Sequence, residues 1–408
     1  MKETKFKQTE VGMVPRDWDV KPIKELGVFL GGGTPSTKKE SFWKGNIPWI
    51  SSADLSDDDI EHISMTRFIS QDAVNCSATQ ICPQGTILII ARVGVGKLAL
   101  SQQKVCTSQD FCNLIPSKEN SSKFLAYALL PMMKQMANET QGTSIKGIAV
   151  DEIKKIQISF PSSKAEQNAI ANALSDVDLL INNLEKLIAK KKNIKQGAMQ
   201  QLLTGKKRLS GFDGVWGHDK LGNIAKMNSG GTPSSENSHY YGGKIPFLSI
   251  GDMTKSGKYI FRTEKSITQL GLDNSSARVF PAGTLLYAMY ASLGKCSISK
   301  IDLAISQAIL GFRLSNLIDR DFLYYYFCFI ENTIKNIGQT GTQSNLSKSI
   351  VENFEIYHPH DVSEQKAIAK ILSDMDAEIA TIETKLSKYR KLKTGMMQQL
   401  LTGKIRLV

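Results

Sequence analysis

Glu166-Gln167-Asn168-Ala169-Ile170-Ala171 is followed by Leu174-Ser175-Asp176, and the stretch closes on Met199-Gln200-Gln201-Leu202-Leu203-Thr204-Gly205-Lys206. It is written a second time as Glu364-Gln365-Lys366-Ala367-Ile368-Ala369, Leu372-Ser373-Asp374 and Met397-Gln398-Gln399-Leu400-Leu401-Thr402-Gly403-Lys404. The offset is constant at 198 positions, from 167 to 365 and from 206 to 404. A fixed period decides architecture before any single motif does.

Each copy reads as one long helix. Ser163-x-x-Glu166 and Asp361-x-x-Glu364 are capping boxes, each two residues after a proline. Gly205 and Gly403 stand where a helix C-terminus needs a residue free to take positive φ. Ile170, Leu174, Val177, Ile181, Leu184 and Ile188 recur at alternating spacings of four and three, and so do Ile368, Leu372, Met375, Ile379, Ile382, Leu386 and Tyr389. That is a coiled-coil seam. A helix from Ser163 to Thr204 would run roughly 60 Å at the usual rise per residue. Each helix is acidic early (Asp176, Asp178, Glu185; Asp374, Asp376, Glu378, Glu383) and basic late (Lys190 to Lys192, Lys195; Lys388, Arg390, Lys391, Lys393). Parallel pairing would set like charges together, so the charges predict antiparallel pairing. Gly197 and Gly395, at the same place in each helix, mark either a tolerated glycine or a close crossing or partner contact.

The duplication extends beyond the helices. Trp18 matches Trp216, Gly32-Gly33-Thr34-Pro35 matches Gly230-Gly231-Thr232-Pro233, and Pro83-x-Gly85-Thr86 matches Pro281-x-Gly283-Thr284, all at the same offset. Between anchors the halves diverge: Phe42-Trp43-Lys44-Gly45-Asn46 faces Tyr240-Tyr241-Gly242-Gly243-Lys244. The runs at 86–92 and 284–290 read as buried strands after a Pro-x-Gly turn, and 123–137 and 321–336 as helices. Ile153, Ile156 and Ile158, like Val351, Phe354 and Ile356, alternate enough for a last strand before each long helix. The expected fold class is therefore α+β: two duplicated globular domains, each followed by a long helix, the helices pairing as an antiparallel coiled coil. The boundaries are 1–160 for the first domain, 161–207 for its helix, 208–358 for the second domain and 359–408 for the last helix.

At 408 residues the chain has ample core for such domains, and its net charge of +12 favours a polyanionic partner. With no apolar run of 18 residues and a polar N-terminus, neither a membrane span nor a signal peptide is expected, and the expected location is cytoplasmic. Six cysteines form no Cys-x-x-Cys pair and no cluster with histidine, so they are expected reduced and buried, without a metal.

No catalytic constellation is present. The glycine-rich loops at 31–36 and 229–234 lack a lysine at Walker spacing, and there is no Gly-x-Ser-x-Gly or His-Glu-x-x-His. The chain has no Pro-Pro pair, which excludes the Asn-Pro-Pro-aromatic motif that amino-methyltransferases use to hold a flipped adenine. What remains are polar positions on the duplicated frames. In the first half these are Gly33, Thr34, Ser51, Ser52, Asp54, Arg92, Lys97, Gln109, Ser144 and Lys146. In the second they are Thr232, Ser249, Asp252, Tyr290, Lys295, Gln307, Gln343 and Asn345. Glutamine and asparagine suit adenine, arginine and lysine suit guanine or phosphate, and a glycine loop lets backbone amides approach a phosphate.

These features together resemble the specificity subunit of a type I restriction–modification system. The carriers are the Gly-Gly-Thr-Pro-Ser loop, the Ile-Pro-Trp-Ile stretch at Ile47 to Ile50, the Phe-Pro-x-x-x-x-Glu-Gln helix start at Phe160 to Gln167 and the Gln-Gln-Leu-Leu-Thr-Gly-Lys close. All are duplicated, with Phe247 in place of Trp49 and His358 in place of Phe160. The resemblance implies two target-recognition domains, each reading half of a bipartite, asymmetric site in double-stranded DNA. It implies that the helices dock two methyltransferase subunits, through the seam Ile170, Leu174, Val177, Ile181, Leu184 and Ile368, Leu372, Met375, Ile379, Ile382, Leu386. Restriction and translocation subunits would join that core. It further implies that this chain is not an enzyme and holds no cofactor, with S-adenosylmethionine, ATP and magnesium belonging to the partners. The alternative is a duplicated coiled-coil scaffold that joins partner subunits without reading sequence. A scaffold gives no reason for fixed frames with divergent loops.

Overall fold

The structure, a computed structural model, describes residues 5–140, 147–340 and 345–407. They fall into two compact units. Unit 1 holds residues up to Glu185 together with the segment from Thr384 onward, and unit 2 holds Lys186–Glu383. Each unit is therefore built from one half's globular domain and portions of both long helices.

In unit 1 the central sheet has four antiparallel strands, in the order Gly27–Gly31, Phe111–Pro116, Ile87–Ile90, Leu98–Leu100. Every residue of Ile87–Ile90 is buried, as expected of an unbroken apolar run in a sheet covered on both faces. The helix Ser122–Thr140 supplies one cover: Phe124, Leu125 and Tyr127 join Ile87, Ile89 and Leu114 in the main core. On the other face Leu88, Ile90 and Phe111 pack with Ile50 and Val105. Ile47–Ile50 lies between Phe68–Ile69 and Cys106–Thr107, parallel to the latter. Trp18–Pro22 pairs with Gln157–Pro161, the strand that leads into the long helix.

Unit 2 repeats this at the same offset. Its sheet runs Ala225–Ser229, Ile309–Leu314, Leu285–Ala288, Cys296–Ser299, with Tyr259–Ile260 added in parallel at the edge. Trp216–Lys220 pairs with Glu355–Pro359. The α+β reading and the duplicated frame hold. One boundary differs: Ile153 and Val351 lie on short helices, Val150–Lys154 and Lys348–Glu352, and only the residues after them form the last strands. An apolar residue at each of these positions serves a buried helix face as well as a strand.

The long helices are Lys164–Leu202 and Val362–Leu400. They pair antiparallel within each unit. In unit 1 Asp178 meets Lys393 and Glu185 meets Arg390. In unit 2 Lys191 meets Glu378, Lys192 meets Glu383 and Lys195 meets Asp376. The acidic halves lie against the basic halves, as their charges require. Both helices end in a backbone hydrogen bond that spans seven residues, Lys207 N–H to Gln201 and Ile405 N–H to Gln399, around Gly205 and Gly403 at φ of 68° and 67°. That is the C-terminal turn the glycines predicted.

Three expectations change. The carboxylates of Glu166 and Glu364 do not close capping boxes. Each is gripped by a guanidinium instead, Glu166 by Arg406 and Glu364 by Arg208, through paired contacts of 2.5 to 2.8 Å. A charge-assisted bidentate pair is stronger than a bond from one neutral backbone amide. A Cβ on Gly197 or Gly395 would meet nothing within 4 Å, so neither marks a close crossing among the described residues. And Cys76 is exposed, unlike the buried Cys82, Cys106, Cys112 and Cys296.

Candidate nucleic-acid interface

Hydrogen-bond register brings residues far apart in sequence to one end of each sheet. In unit 1 Gly31 lies opposite Cys112, and Phe111 opposite Ile90. The chain thus leaves at Gly31 toward Thr34, arrives at Phe111 from Gln109, and leaves at Ile90 toward Arg92, all at the same end. The backbone locks these segments together: Ala91 N–H donates to Asp110 at 2.8 Å, Ser108 N–H to Ile50 at 2.9 Å, and Ile148 N–H to Ala91 at 2.8 Å. Unit 2 reproduces each bond, from Met289 to Ala308, Ser306 to Leu248, and Leu346 to Met289, at 2.9 to 3.0 Å.

The candidate residues sort into two groups on this rim. Thr34 and Gln109 are exposed and bonded to each other, hydroxyl to amide oxygen, and Thr232 and Gln307 repeat the pair. The Gln109 and Gln307 amide N–H groups make no hydrogen bond among the described residues. Arg92 is exposed and has no hydrogen bond or ion pair among the described residues. Tyr290 takes its place in unit 2, next to Ala291, the single non-glycine residue at positive φ (56°) among the described residues. Left-handed backbone at an alanine costs roughly 1–2 kcal/mol, and such strain collects at functional loops. Asn345 is on a described loop and exposed, whereas Ser52 is half-buried and opens the short 3-10 turn Ser52–Asp54.

The second group holds the frame. Gly33 is buried, its N–H given to Thr107 at 2.8 Å, and a Cβ there would come within 2.4 Å of the Thr79 backbone. Its amide is therefore not open to a phosphate. Ser51 and Asp54 cap one another: the Asp54 carboxylate accepts from Ser51 N–H and Oγ–H at 2.7 and 2.9 Å, and also from Arg67. Ser249 and Asp252 do the same at 2.9 and 2.7 Å, and Asp252 also accepts from Glu264 N–H. Lys97 reaches back to Leu55 O and Asp57, and Lys295 to Thr254 O. These side chains already have partners, so the spacing that made them candidates reflects a shared loop architecture. Ser144, Lys146 and Gln343 lie outside the described residues.

Spacing missed Arg67, whose guanidinium lies 4.8 Å from the Trp49 ring centroid beside the Ser51–Asp54 cap. No local pattern singles it out, because Lys265 fills that position in the other half. The docking role that the resemblance implies for the seam falls on side chains largely engaged in packing. Ile170, Leu174, Ile368 and Leu372 are buried in the two main cores, and Ile181, Leu184, Ile379 and Leu386 are buried too. Val177, Met375 and Ile382 are half-buried. Most of these side chains face the chain's own elements, which leaves only part of the seam open to a partner. The apolar residues left open on the long helices are Leu179, Leu187, Ile194 and Leu392. Among the described residues there is no cluster of histidine, cysteine, aspartate and glutamate suited to a metal, and no helix long and apolar enough to cross a membrane.

The family model described as "Type I restriction modification DNA specificity domain" matches residues 15–196 and again 215–389. The chain is similar to the type I restriction enzyme MjaIX specificity subunit of Methanocaldococcus jannaschii, at 26% identity over 99% of this chain and 97% of that one. It is also similar to the putative MjaX specificity subunit of the same organism, at 28% identity over 100% and 98%. Among solved structures, a type I restriction–modification S subunit from M. genitalium has the same fold, with a TM-score of 0.61, 19% identity, and coverage of 94% of this chain and 96% of that one. A second, from work on complex assembly and conformational transition of the type I restriction–modification system, superposes with a TM-score of 0.59 at 16% identity, covering 96% and 99%.

Proposed function

This chain belongs to the family of type I restriction–modification specificity subunits, and from that premise we propose that it reads a split site in double-stranded DNA, one half-site per duplicated domain, 1–160 and 208–358. The sheet-end rims are the reading surfaces. Thr34, Gln109 and Arg92 act in the first, and Thr232, Gln307, Tyr290 and Asn345 in the second. The supporting observation is a common hydrogen-bonded frame that presents at one rim an exposed arginine with no polar partner among the described residues, and at the equivalent point of the other a tyrosine half-buried against the domain core. A shared frame with unlike tips is what two different half-sites need. Arginine donates two hydrogen bonds to guanine O6 and N7, whereas tyrosine offers one hydroxyl and an apolar ring. Gln109 and Gln307 add amide N–H donors that their threonine partners hold in place.

The same reading gives the chain no chemistry of its own. Two methyltransferase subunits dock on the open faces of the helices around Leu179, Leu187, Ile194 and Leu392. Those partners flip and methylate adenine with S-adenosylmethionine, and the restriction subunits use ATP and magnesium. The test is a methylome. The chain is co-expressed with its methyltransferase in a methylation-free host, and modified adenines are mapped. A split motif that loses one half when 42–92 is exchanged, and the other half when 240–290 is exchanged, is the expected result. Co-purifying subunits with no sequence-specific methylation would favour the scaffold alternative.

A further inference from the structure

Two thiols have no part in recognition. Cys296 lies on the strand Cys296–Ser299 inside unit 2, and Cys328 lies on the helix Arg320–Thr340 that packs over it. Their sulfurs are 3.8 Å apart, within thiol–thiol hydrogen-bond range. At the equivalent positions unit 1 has Leu98 and Leu130, both buried. The frame thus needs only apolar bulk here, and packing alone does not call for two sulfurs.

The two cysteines are also unlike each other. Cys296 is buried, and burial pushes its thiol well above the ordinary value. Cys328 is partly exposed, and the hydrogen bond from Cys296 holds its thiol below the ordinary value, with Tyr324 and Lys195 acting in the same direction. Elsewhere burial pushes Cys82 up to about 12 and Cys112 up to about 11, which leaves them inert. A partly exposed thiol held below its ordinary value, 3.8 Å from a buried partner, has the arrangement of an attacking and a resolving cysteine.

We propose that Cys328 and Cys296 are a redox-sensitive pair that closes to an intramolecular disulfide when the protein meets a hydroperoxide. The Cys328 thiolate attacks a peroxide oxygen: an S–O bond forms, the O–O bond breaks, and the departing oxygen takes up a proton. The Cys296 sulfur then attacks the sulfenic sulfur of Cys328. The S–S bond forms, the S–O bond breaks, and hydroxide leaves with the Cys296 proton as water. Both sulfurs are oxidised, and hydrogen peroxide is reduced to two waters, or an organic hydroperoxide to one alcohol and one water. Closing to a bond of about 2.05 Å needs a sulfur approach of about 1.7 Å. An external thiol reverses the step by thiol–disulfide exchange. The bond would tie the helix to the sheet one turn from Tyr325, whose hydroxyl holds Asp376 of the second long helix at 2.8 Å.

The experiment uses the full chain with Cys76→Ser, which removes the exposed competing thiol. The protein is treated with one equivalent of hydrogen peroxide, its free thiols are alkylated, and the digest is mapped without reduction. The expected product is a peptide pair joined through Cys296 and Cys328, lighter by two hydrogens and separated by dithiothreitol. With Cys296→Ser added, dimedone should trap a sulfenic acid on Cys328 and the cross-link should vanish. Cys328 left fully alkylatable, or converted to sulfinic acid without a cross-link in the parent, would overturn the proposal.

Discussion

Asp178 and Lys393 are among the few charged side chains buried in the chain, 7% and 9% exposed. The Asp178 carboxylate accepts from Lys393 Nζ at 2.6 Å and from Tyr127 OH at 2.7 Å. Burial pushes its carboxyl above the ordinary range, while Lys393 and Tyr127 pull it back. A carboxyl whose folded pKa is raised gives stability that is full below its unfolded pKa and lost as pH rises through the folded one. Lys393→Met removes the main opposing influence and leaves a buried carboxylate short of a partner, at a cost of about 3 kcal/mol at neutral pH. That deficit should shrink on acidification as Asp178 takes up a proton. Urea denaturation at neutral and mildly acidic pH measures it, and a pH-independent deficit would contradict the assignment. Arg92 carries the second prediction at this scale. Arg92→Ala should relax one position of one half-site by about 1–3 kcal/mol of discrimination, visible as a degenerate base in the methylation motif, with thermal stability unchanged.

At the scale of the element, the long helices are matched by charge. The pairs Lys191–Glu378 and Lys192–Glu383 are half-exposed, so each is worth little alone, about 0.5 kcal/mol. Reversing both lysines to glutamate sets four carboxylates together. The double variant should melt earlier, most clearly at low salt, and Glu378→Lys with Glu383→Lys should restore it. The methylated sequence should stay the same, because no rim residue is involved. A changed motif would show that this helix face reads DNA. Gly403 is more tightly constrained: it sits at positive φ and an added Cβ would come within 2.4 Å of Pro15. Gly403→Ala should therefore destabilise by more than the usual 1 kcal/mol for a helix-end glycine.

Across the whole molecule, each unit depends on sequence from the other half. Unit 1 takes Thr384 onward, and within that segment Arg406 clamps buried Glu166 and also Asp17. Arg406→Ala strands the Glu166 carboxylate and should cost about 3 kcal/mol. Hydrogen exchange should rise within residues 5–185 while unit 2 keeps its protection, since Glu364 there retains Arg208. Equal loosening of both units would mean that the pair does more than close unit 1.

The 198-residue period, the two long helices, their glycine ends and their antiparallel pairing were all written in the sequence, because each depends on local periodicity or on charges spread along one element. The same holds for the buried strands after each Pro-x-Gly turn. Tertiary structure decided which side chains remain free. Thr34, Arg92 and Gln109 come together only through strand register, and Ser51, Asp54, Lys97 and Gly33 are engaged by neighbours that no spacing reveals. Glu166 looked like a cap until Arg406, 240 residues away, claimed it. Seam residues such as Ile170 and Leu174 looked available to a partner until the domain core closed over them. A period fixes which face of an element is apolar, and only the packed chain determines what covers that face and which polar groups are left for DNA.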